Sequence, residues 1–446
     1  MKTPIANFVK QYATSDVSRF HMPGHKGKPH LGFESLDITE IDGADVLYSA
    51  CGIIEESEEI TSSLFHTAHT FFSAEGSSLS IKAMLAIIKS TAKDGEKPRI
   101  LAARNVHKAF IYACALLDLD VEWLFPKTAT HLCSCPVSAD DVKNAIETAP
   151  RKPSAVYLTS PDYLGGIQDI REISKVCKQY DIPLLVDNAH GAYLAFLEEN
   201  QHPMALGATM CSDSAHKTLP VLTGGAYLHI AKDAPTAFLE QARSMLSLFA
   251  STSPSYLILQ SLDLCNAYLA DGYREKLTAC VQKINTFKKT LAENGIFPEE
   301  SEPLKLVLQT KPLGYTGEEL ASYLRERKIE IEFSDRDFAV LMFTPENEEK
   351  DFTRLESALL TLPRRTPIRE NIPPKMPKAK TALSVRDAVF APKEIVSVKE
   401  AEGKICASPL VSCPPAVPIV MSGEVITKDA MEWFFYYGTK YVEITT

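Results

Sequence analysis

A lysine in a polar segment and an aspartate at the end of an apolar run are the residues in this sequence best suited to chemistry. Lys217 lies in SDSAHKTLPVLTGG (212–225), just before an apolar run. Asp187 ends IPLLVD (182–187), whose length and continuous apolar character are typical of a buried strand. The spacing between Asp187 and Lys217 leaves room for one crossover connection and a return to the same sheet edge. Open α/β sheets bind ligands at this edge.

A lysine and an aspartate that converge at such an edge have a specific use with pyridoxal phosphate. The lysine forms a Schiff base with the cofactor aldehyde, and the carboxylate holds the pyridine nitrogen protonated. The protonated ring then accepts the electrons left on Cα when a substrate bond breaks. On residue type alone, a loop lysine is commonly just solvated and a strand-end aspartate often caps a helix. The surrounding residues therefore decide between these interpretations.

The cofactor phosphate requires backbone N–H groups and hydroxyls at a helix N-terminus. The segment AEGSS (74–78) supplies both, because it opens a helix predicted over 77–93 from apolar residues at helical spacing. Two polar residues beside Lys217 add further contacts. The candidate phosphate-binding residues are Gly76, Ser77, Ser78, Ser214 and His216.

Two histidines follow predicted strand ends in the same way. His107 comes just after a strand predicted over 99–103, where an aromatic ring can lie flat over the cofactor. His190 stands three residues beyond Asp187, within reach of the ring hydroxyl or the substrate. A lone histidine is more often structural, but the shared position with Asp187 and Lys217 favours a catalytic or cofactor-binding role.

Strands alternate with helices over the first 250 residues, which indicates βαβ units and a mostly parallel sheet. Residues 1–75 are predicted to be irregular because they are rich in polar and turn residues. The predicted strands cover 99–103, 155–159, 182–187 and 225–230, and the helices between them cover 77–93, 106–117 and 169–180, with a further helix that begins at Ser138.

A smaller α/β unit follows, with helices predicted over 254–270 and 273–294 and strands over 304–308 and 339–343. Between its strands, Thr316 and Glu319 predict a capped helix. A proline-rich stretch then indicates a linker, and a last helix is predicted over 427–437. The expected domains are an N-terminal arm (1–50), a large cofactor-binding domain (51–255), a small α/β domain (256–362), a Pro-rich linker (363–378) and a C-terminal subdomain (379–446).

Composition excludes several other classes of protein. The chain has 446 residues, of which 45% are hydrophobic and 23% charged, as in ordinary globular proteins. A net charge of −10 argues against a nucleic-acid partner. Ten cysteines without metal-site spacing predict reduced thiols and no metal centre. Without a signal peptide or an apolar run long enough to cross a bilayer, the chain is expected in the cytoplasm, with no membrane partner.

Several strings, in order along nearly the whole chain, resemble the Orn/Lys/Arg decarboxylase family. The resemblance implies a fold-type I aminotransferase-like large domain, pyridoxal phosphate, a role in polyamine biosynthesis, and a homodimer with active sites at the subunit interface. The strings are FHMPGHKG (20–27), DITEIDGADVLYSACGII (37–54), SAEGSS (73–78), ARNVHKA (103–109), TSPDYLGG (159–166), VDNAHGA (186–192), SDSAHKTLPVLTGGAYLHI (212–230), STSPSYLILQSLD (251–263) and CPPAVPIVMSGEVI (413–426).

Position by position, Lys217 resembles the family's Schiff-base lysine and Asp187 its pyridinium partner, while His107 matches the ring-stacking residue. Ser77 and Ser78 match the phosphate-binding pair. The sequence starts at the arm, so it resembles the short branch without an N-terminal wing domain. It departs from the family pattern at Asp162, Asn188, Cys265, Asn266, Ala416, Val417 and Ser422. Asn188 stands where an acidic residue commonly follows the aspartate.

The sequence therefore predicts decarboxylation of a basic amino acid, arginine, lysine or ornithine, to the amine and CO₂. His190, Lys217 or a residue of the partner subunit would return a proton to Cα. Two alternatives stay open: transamination or elimination on the same fold, or a cofactor-binding protein without turnover. Spacing does not identify the carboxylate that would pair with the substrate's distal charge, and Glu424, in the C-terminal string, is a candidate for it.

Overall fold

The computed structural model describes residues 1–93, 95–126, 131–370, 373–374, 377–409 and 417–446. The chain divides into two compact units, each made of separate stretches of sequence. The first comprises Met1–Ile100, Ile146–Ser160 and Asp169–Glu275, and the second comprises Leu101–Ala145, Pro161–Gln168 and Lys276–Thr446. The departure at Ala416, the start of the C-terminal string at 413–415 and four linker positions (371, 372, 375 and 376) lie outside the described residues.

The helices occur in both units, and among the described residues none combines the length and apolar character needed to cross a membrane. They are α1 (Pro4–Thr14), α2 (Ile53–Phe65), α3 (Ser77–Ser90), α4 (Lys108–Leu117), α5 (Ala139–Thr148), α6 (Ile170–Gln179), α7 (Pro203–Leu206), α8 (Ala215–Thr218), α9 (Thr236–Ser247), α10 (Tyr256–Ala270), α11 (Tyr273–Glu293), α12 (Gly317–Glu326), α13 (Glu349–Leu360), α14 (Val385–Phe390) and α15 (Lys428–Tyr436).

The strands form a mostly parallel seven-stranded sheet and two small antiparallel sheets, so the α/β prediction is confirmed. The orders are β1-β7-β6-β5-β4-β2-β3, β8-β10-β9 and β11-β12. The strands are β1 (His69–Ser73), β2 (Arg99–Ala103), β3 (Asp120–Leu124), β4 (Ala155–Thr159), β5 (Leu184–Asp187), β6 (Met210–Asp213), β7 (Ala226–Ile230), β8 (Lys305–Gln309), β9 (Phe333–Ser334), β10 (Phe338–Met342), β11 (Lys393–Ser397) and β12 (Tyr441–Thr445).

In the first unit, the parallel strands β4, β5 and β6 carry the sheet edge that matters for function. Their side chains are almost entirely buried, which agrees with the apolar runs in the sequence. Asp187, at the end of β5, is paired with Ser212 on β6. Beyond β6 the pairing with β7, and then of β7 with β1, is antiparallel.

The prediction that residues 1–75 are irregular is wrong, because this region contains α1, α2 and β1. Helix α1 buries Ile5 and Val9, and the Ala6 N–H donates to Asp263 Oδ2 on α10 at 2.9 Å. Helix α2 was not predicted, because much of its buried face is polar and therefore lacks apolar residues at helical spacing. Its side chains are satisfied by hydrogen bonds instead of apolar contacts, such as that from Thr61 Oγ1 to Asn266 Oδ1 at 2.8 Å.

The second unit contains the strands and the capped helix predicted for the smaller α/β region, and the predicted C-terminal helix, whereas the helix predicted over 254–270 is α10 of the first unit. Thr316 and Glu319 form the expected capping box at the start of α12. Strand β10 pairs with β8 and β9, both antiparallel. Near the C-terminus, α15 packs its fully buried Trp433 into an apolar core beside the β11–β12 pair.

A buried ion pair in the second unit joins two segments far apart in sequence. Arg104 Nη1 and Nη2 donate to Glu424 Oε1 and Oε2 at 2.6 and 2.7 Å. Arg104 also donates to the Ile419 carbonyl, and the Met421 N–H donates to Glu424. The Glu424 carboxylate is therefore neutralised within the protein. The structure argues against the hypothesis that Glu424 binds the distal charge of a substrate.

We expect Glu424→Gln to lower the free energy of unfolding by about 3–5 kcal/mol, because the variant leaves the Arg104 guanidinium buried without its countercharge. Chemical denaturation measures this change. The double variant Arg104→Met/Glu424→Gln should recover much of the loss. The control is Asp233→Asn, which removes an exposed ion pair with Lys178 (2.7 Å) and should cost less than about 1 kcal/mol. Equal losses in Glu424→Gln and Asp233→Asn would contradict the prediction.

Candidate active site

The carboxyl ends of β5 and β6 place the predicted lysine and aspartate at one edge of the sheet. Because the two strands are parallel, the segments that follow Asp187 and Asp213 leave the sheet side by side. The segment after β6 forms the short helix α8, which carries Lys217. The segment after β5 is a tight turn over 187–191, closed by the Gly191 N–H donating to the Asn188 carbonyl at 2.8 Å.

The turn over 187–191 brings His190 directly against Lys217. His190 Nε2 lies 3.0 Å from Lys217 Nζ, and the histidine side chain is buried. An amine and an imidazole at this distance can share a proton. The sequence placed both residues at this sheet edge as alternative proton donors, and the structure brings them into direct contact.

Asp187 is a buried carboxyl group next to that lysine, with only 2% of the residue exposed. Burial raises the pKa of Asp187 to about 6, since the carboxylate has lost its water. The Lys217 charge, the Ala189 N–H (3.3 Å from Oδ1) and the Tyr157 hydroxyl oppose this rise, whereas the nearby Asp213 adds to it. An anion at this position is costly unless a cation accompanies it.

The N-terminus of α3 has the features expected of a phosphate site. Gly76 precedes the helix with φ of +73°, a backbone conformation that favours glycine, and no side chain caps the helix. Ser214 Oγ donates to Ser77 Oγ at 2.7 Å, so hydroxyls from two predicted segments meet here. Ser78 lies in the first turn of α3 and is half-buried. Backbone N–H groups and hydroxyls at a helix N-terminus suit an anion.

His216 and His107 have their own hydrogen bonds. His216 Nδ1 donates to the Gly225 carbonyl at 3.0 Å, which fixes the ring beside α8. His107 belongs to the second unit, where it caps α4 and its Nδ1 accepts from the Ala109 N–H at 3.1 Å. A phosphate contact for His216 and a stacking role for His107 stay predictions.

The sequence analysis missed Asp213, which ends β6 and is fully buried. Its carboxylate accepts hydrogen bonds from His202 and His229 at 2.9 and 3.1 Å and from Asn188 at 2.7 Å. A polar residue inside a buried strand was the available signal. Its partners, however, come from distant parts of the sequence, so no local pattern identified them.

Several departures from the family pattern have structural roles. Asp162, in the second unit, accepts from the Leu164 and Gly166 N–H groups and closes a buried turn. Asn266 ties α10 to α2 by donating to the Ser57 carbonyl. Cys265, Val417 and Ser422 are buried. None of these contacts involves Lys217 or Asp187.

The residues present in the first unit fit pyridoxal phosphate. Lys217 offers an amine for the aldehyde. Asp187 offers a buried carboxylate, and a protonated pyridine nitrogen would offset the free energy that burial of its charge costs. The start of α3 offers N–H groups and hydroxyls for the phosphate.

Comparison with known proteins identifies the family of the chain. The models described as "Orn/Lys/Arg decarboxylase, major domain" and "Orn/Lys/Arg decarboxylase, C-terminal domain" match residues 3–302 and 370–440. The chain is 29% identical over 466 residues to an arginine decarboxylase of Bacillus subtilis (strain 168), covering 97% of this chain and 93% of the relative. It is 32% identical to the uncharacterized protein YaaO of the same organism, with the same coverage.

A solved structure is similar over the whole chain. The crystal structure of the Francisella novicida lysine decarboxylase LdcF matches with a TM-score of 0.82 at 16% identity and covers 100% of this chain and 81% of that one. This likeness confirms the fold. The sequence matches show that the chain belongs to the Orn/Lys/Arg decarboxylase family, pyridoxal-phosphate-dependent enzymes that remove CO₂ from basic amino acids.

Proposed function

We propose that this chain decarboxylates a basic amino acid, with arginine the leading candidate, at a site built on Lys217, Asp187 and His190. The observation that carries the proposal is the 3.0 Å contact of Lys217 Nζ with His190 Nε2 beside the buried Asp187 carboxylate. Relatives named arginine decarboxylases align with 97% of this chain, which supports arginine as the first substrate to test.

Each of the three residues has a separate task. Lys217 holds the cofactor covalently through Nζ, and Asp187 keeps the pyridine nitrogen protonated. Bound in this way, pyridoxal phosphate supplies a sink for the electrons that the Cα–carboxylate bond releases. The start of α3, with Gly76, Ser77 and Ser78, and Ser214 hold the phosphate. His107 and His216 are proposed as the ring-stacking residue and a further phosphate contact.

His190 and Lys217 together handle the proton that Cα needs. A Lys217 amine that the cofactor does not hold would lie beside His190 Nε2. Proton transfer between Lys217 and His190 determines which of these two residues donates the proton to Cα. A positioned general acid of this kind contributes about 10²–10⁴-fold to a rate.

We also propose that the active protein is a homodimer in the cytoplasm, with its sites at the subunit interface. The arm residues Phe20 and Leu31 expose 95% and 77% of their surface, although both are apolar. Exposed apolar residues on an irregular arm are typical of a surface that a partner covers. The free state of the described cysteines fits a reducing compartment.

Product analysis tests the reaction. We expect purified, yellow protein to convert arginine, lysine or ornithine to CO₂ and the amine, and borohydride to fix a pyridoxyl group on Lys217. Mass spectrometry and a CO₂ assay measure both, with Lys217→Ala as the control that loses both. An oxo acid would indicate transamination, and a fixed cofactor without products would indicate binding alone. A pyridoxyl group on any other lysine would contradict the assigned site.

Asp187→Asn tests the buried charge in the cofactor-free protein. The pKa of Asp187 is raised on folding, so the folded protein favours the protonated carboxyl group. The resulting contribution to the free energy of unfolding is fully present below about pH 4 and is lost as pH rises through about 6. The variant should therefore be more stable than the wild type at pH 7.5, by up to about 3 kcal/mol, and by less at pH 5. Denaturant unfolding at the two pH values measures this.

In the cofactor-loaded protein, Asp187→Asn should be harmful and not beneficial, because the substitution impairs catalysis. We expect kcat to fall about 10²-fold or more, because a neutral amide cannot stabilise the protonated pyridine nitrogen. The surface variant Asp233→Asn should cost less than about 1 kcal/mol of stability and leave kcat unchanged. If the cofactor-free Asp187→Asn protein is less stable than the wild type at pH 7.5, burial of the ionised carboxylate does not destabilise the protein, and the prediction is wrong.

The arm is tested by substitution, since deletion of residues 1–30 would also remove helix α1, which buries Ile5 and Val9. We expect Phe20→Ser/Leu31→Ser to raise the dimer dissociation constant at least ~10-fold, because apolar anchors dominate interfaces. Analytical ultracentrifugation and KM measure the effect. The control is Phe297→Ser, which alters an equally apolar residue of the second unit that is 71% exposed. An unchanged dimer with an unchanged KM would exclude the arm from the interface.

A further inference from the structure

Asp213 is a fully buried carboxylate that the reaction above does not use. Both histidines approach the same oxygen: His202 Nε2 lies 2.9 Å and His229 Nε2 3.1 Å from Oδ2. The other oxygen, Oδ1, accepts from Asn188 Nδ2 at 2.7 Å and from the Cys211 thiol at 3.4 Å. The two oxygens therefore have separate sets of donors.

The remaining ring nitrogens fix the tautomers of the histidines. The Met204 N–H donates to His202 Nδ1 at 3.3 Å, so the hydrogen of a neutral His202 ring is on Nε2 and points at Asp213. His202 Nε2 is therefore not available as a metal ligand in this arrangement. Thr70 Oγ1 lies 2.8 Å from His229 Nδ1, and burial lowers the pKa of His229, which favours the same neutral form.

Asp213 stays ionised in this environment. Burial alone raises the pKa of Asp213, but His202 and His229 bring it well below its usual range. The carboxylate is thus a fixed hydrogen-bond acceptor. Asn188 must present its amide N–H₂, and not an oxygen, to Asp213 Oδ1.

Asn188 belongs to the turn that carries the catalytic residues. It follows Asp187 and precedes His190 by two positions, and its carbonyl closes the turn at Gly191. A Cβ on Gly191 would lie 2.0 Å from Asn188 Oδ1, so the asparagine side chain fills the space between Gly191 and Asp213. A shift of Asn188 therefore moves the turn and His190 with it.

Asp213 also adjoins the lysine segment. It is the last residue of β6 and is followed by Ser214, which contacts Ser77, and by α8 with Lys217. One carboxylate thus stands where the two segments of the site leave the sheet.

We propose that Asp213 is a positioning residue, which acts through the Asn188 amide to hold the turn over 187–191, and with it His190, against Lys217. This deepens the proposed function, and only its kinetic test rests on that function. It also accounts for Asn188, which stands where an acidic residue is usual. A carboxylate at 188 would face the Asp213 carboxylate at hydrogen-bond distance and repel it.

Exchange of the two side chains tests the proposal. Asn188→Asp places two carboxylates together. In Asn188→Asp/Asp213→Asn, the new amide at 213 can still accept both histidines through its oxygen and can donate to the carboxylate at 188. The matched control is Asn266→Asp, the same substitution at another fully buried asparagine of the first unit.

The main readout is the rate at which cofactor-free protein captures pyridoxal phosphate on Lys217, trapped with borohydride and counted by mass spectrometry. Melting temperature is measured in parallel, and kcat and KM are measured on the loaded proteins. Capture requires only the position of Lys217 and its neighbours. It therefore stays informative even if no substrate is turned over, an outcome that would refute the proposed function alone.

We expect Asn188→Asp to slow capture at least ~10-fold and to lower kcat by about 10²-fold with little change in KM, as small displacements of a catalytic group do. The double variant should regain capture and kcat to within about 5-fold of the wild type, because the donor and acceptor are again matched. Asn266→Asp should lower the melting temperature but leave capture unchanged.

Three results would overturn the proposal. One is wild-type capture by Asn188→Asp, which would mean that the turn does not depend on Asp213. Another is equal slowing of capture by Asn266→Asp, which would indicate general destabilisation. The third is a double variant that regains its melting temperature but not its capture rate or kcat.

Discussion

A carboxylate buried at the end of a parallel strand is the constraint on which the rest of this site depends. Asp187 has lost its water, and the neighbours that lower its pKa are one lysine, one N–H group and one hydroxyl. Such an arrangement is costly in the cofactor-free protein. It becomes favourable when a cation binds beside the carboxylate, and in the proposed function a protonated pyridine nitrogen is that cation. Lys217 is close enough to lower the pKa of Asp187, and it contacts His190.

Three buried carboxylates of this protein differ in the groups that neutralise them. Glu424 is matched by a two-point contact with Arg104, so nothing remains for a ligand to neutralise. Asp213 accepts hydrogen bonds from two histidines and from Asn188 and stays a fixed acceptor. Asp187, by contrast, has a raised pKa and a lysine beside it.

Much of this organisation was predictable from sequence, for identifiable reasons. Buried parallel strands such as β5 appear as continuous apolar runs, and polar residues at their ends mark the sheet edge where Lys217 and His190 meet. Helix α2 was not predictable from periodicity, because Thr61 and its polar neighbours are buried through hydrogen bonds to α10. Asp213 escaped for a related reason, since its partners His202 and Asn188 are assembled only by the fold.

The central claim is that Asp187 keeps the cofactor's pyridine nitrogen protonated in this buried site. The ¹⁵N chemical shift of that nitrogen, measured by NMR on protein loaded with ¹⁵N-labelled pyridoxal phosphate, reports its protonation directly. The account predicts a protonated nitrogen in the wild type at pH 7.5 and an unprotonated one in Asp187→Asn. A nitrogen with the same protonation state in both proteins would contradict it.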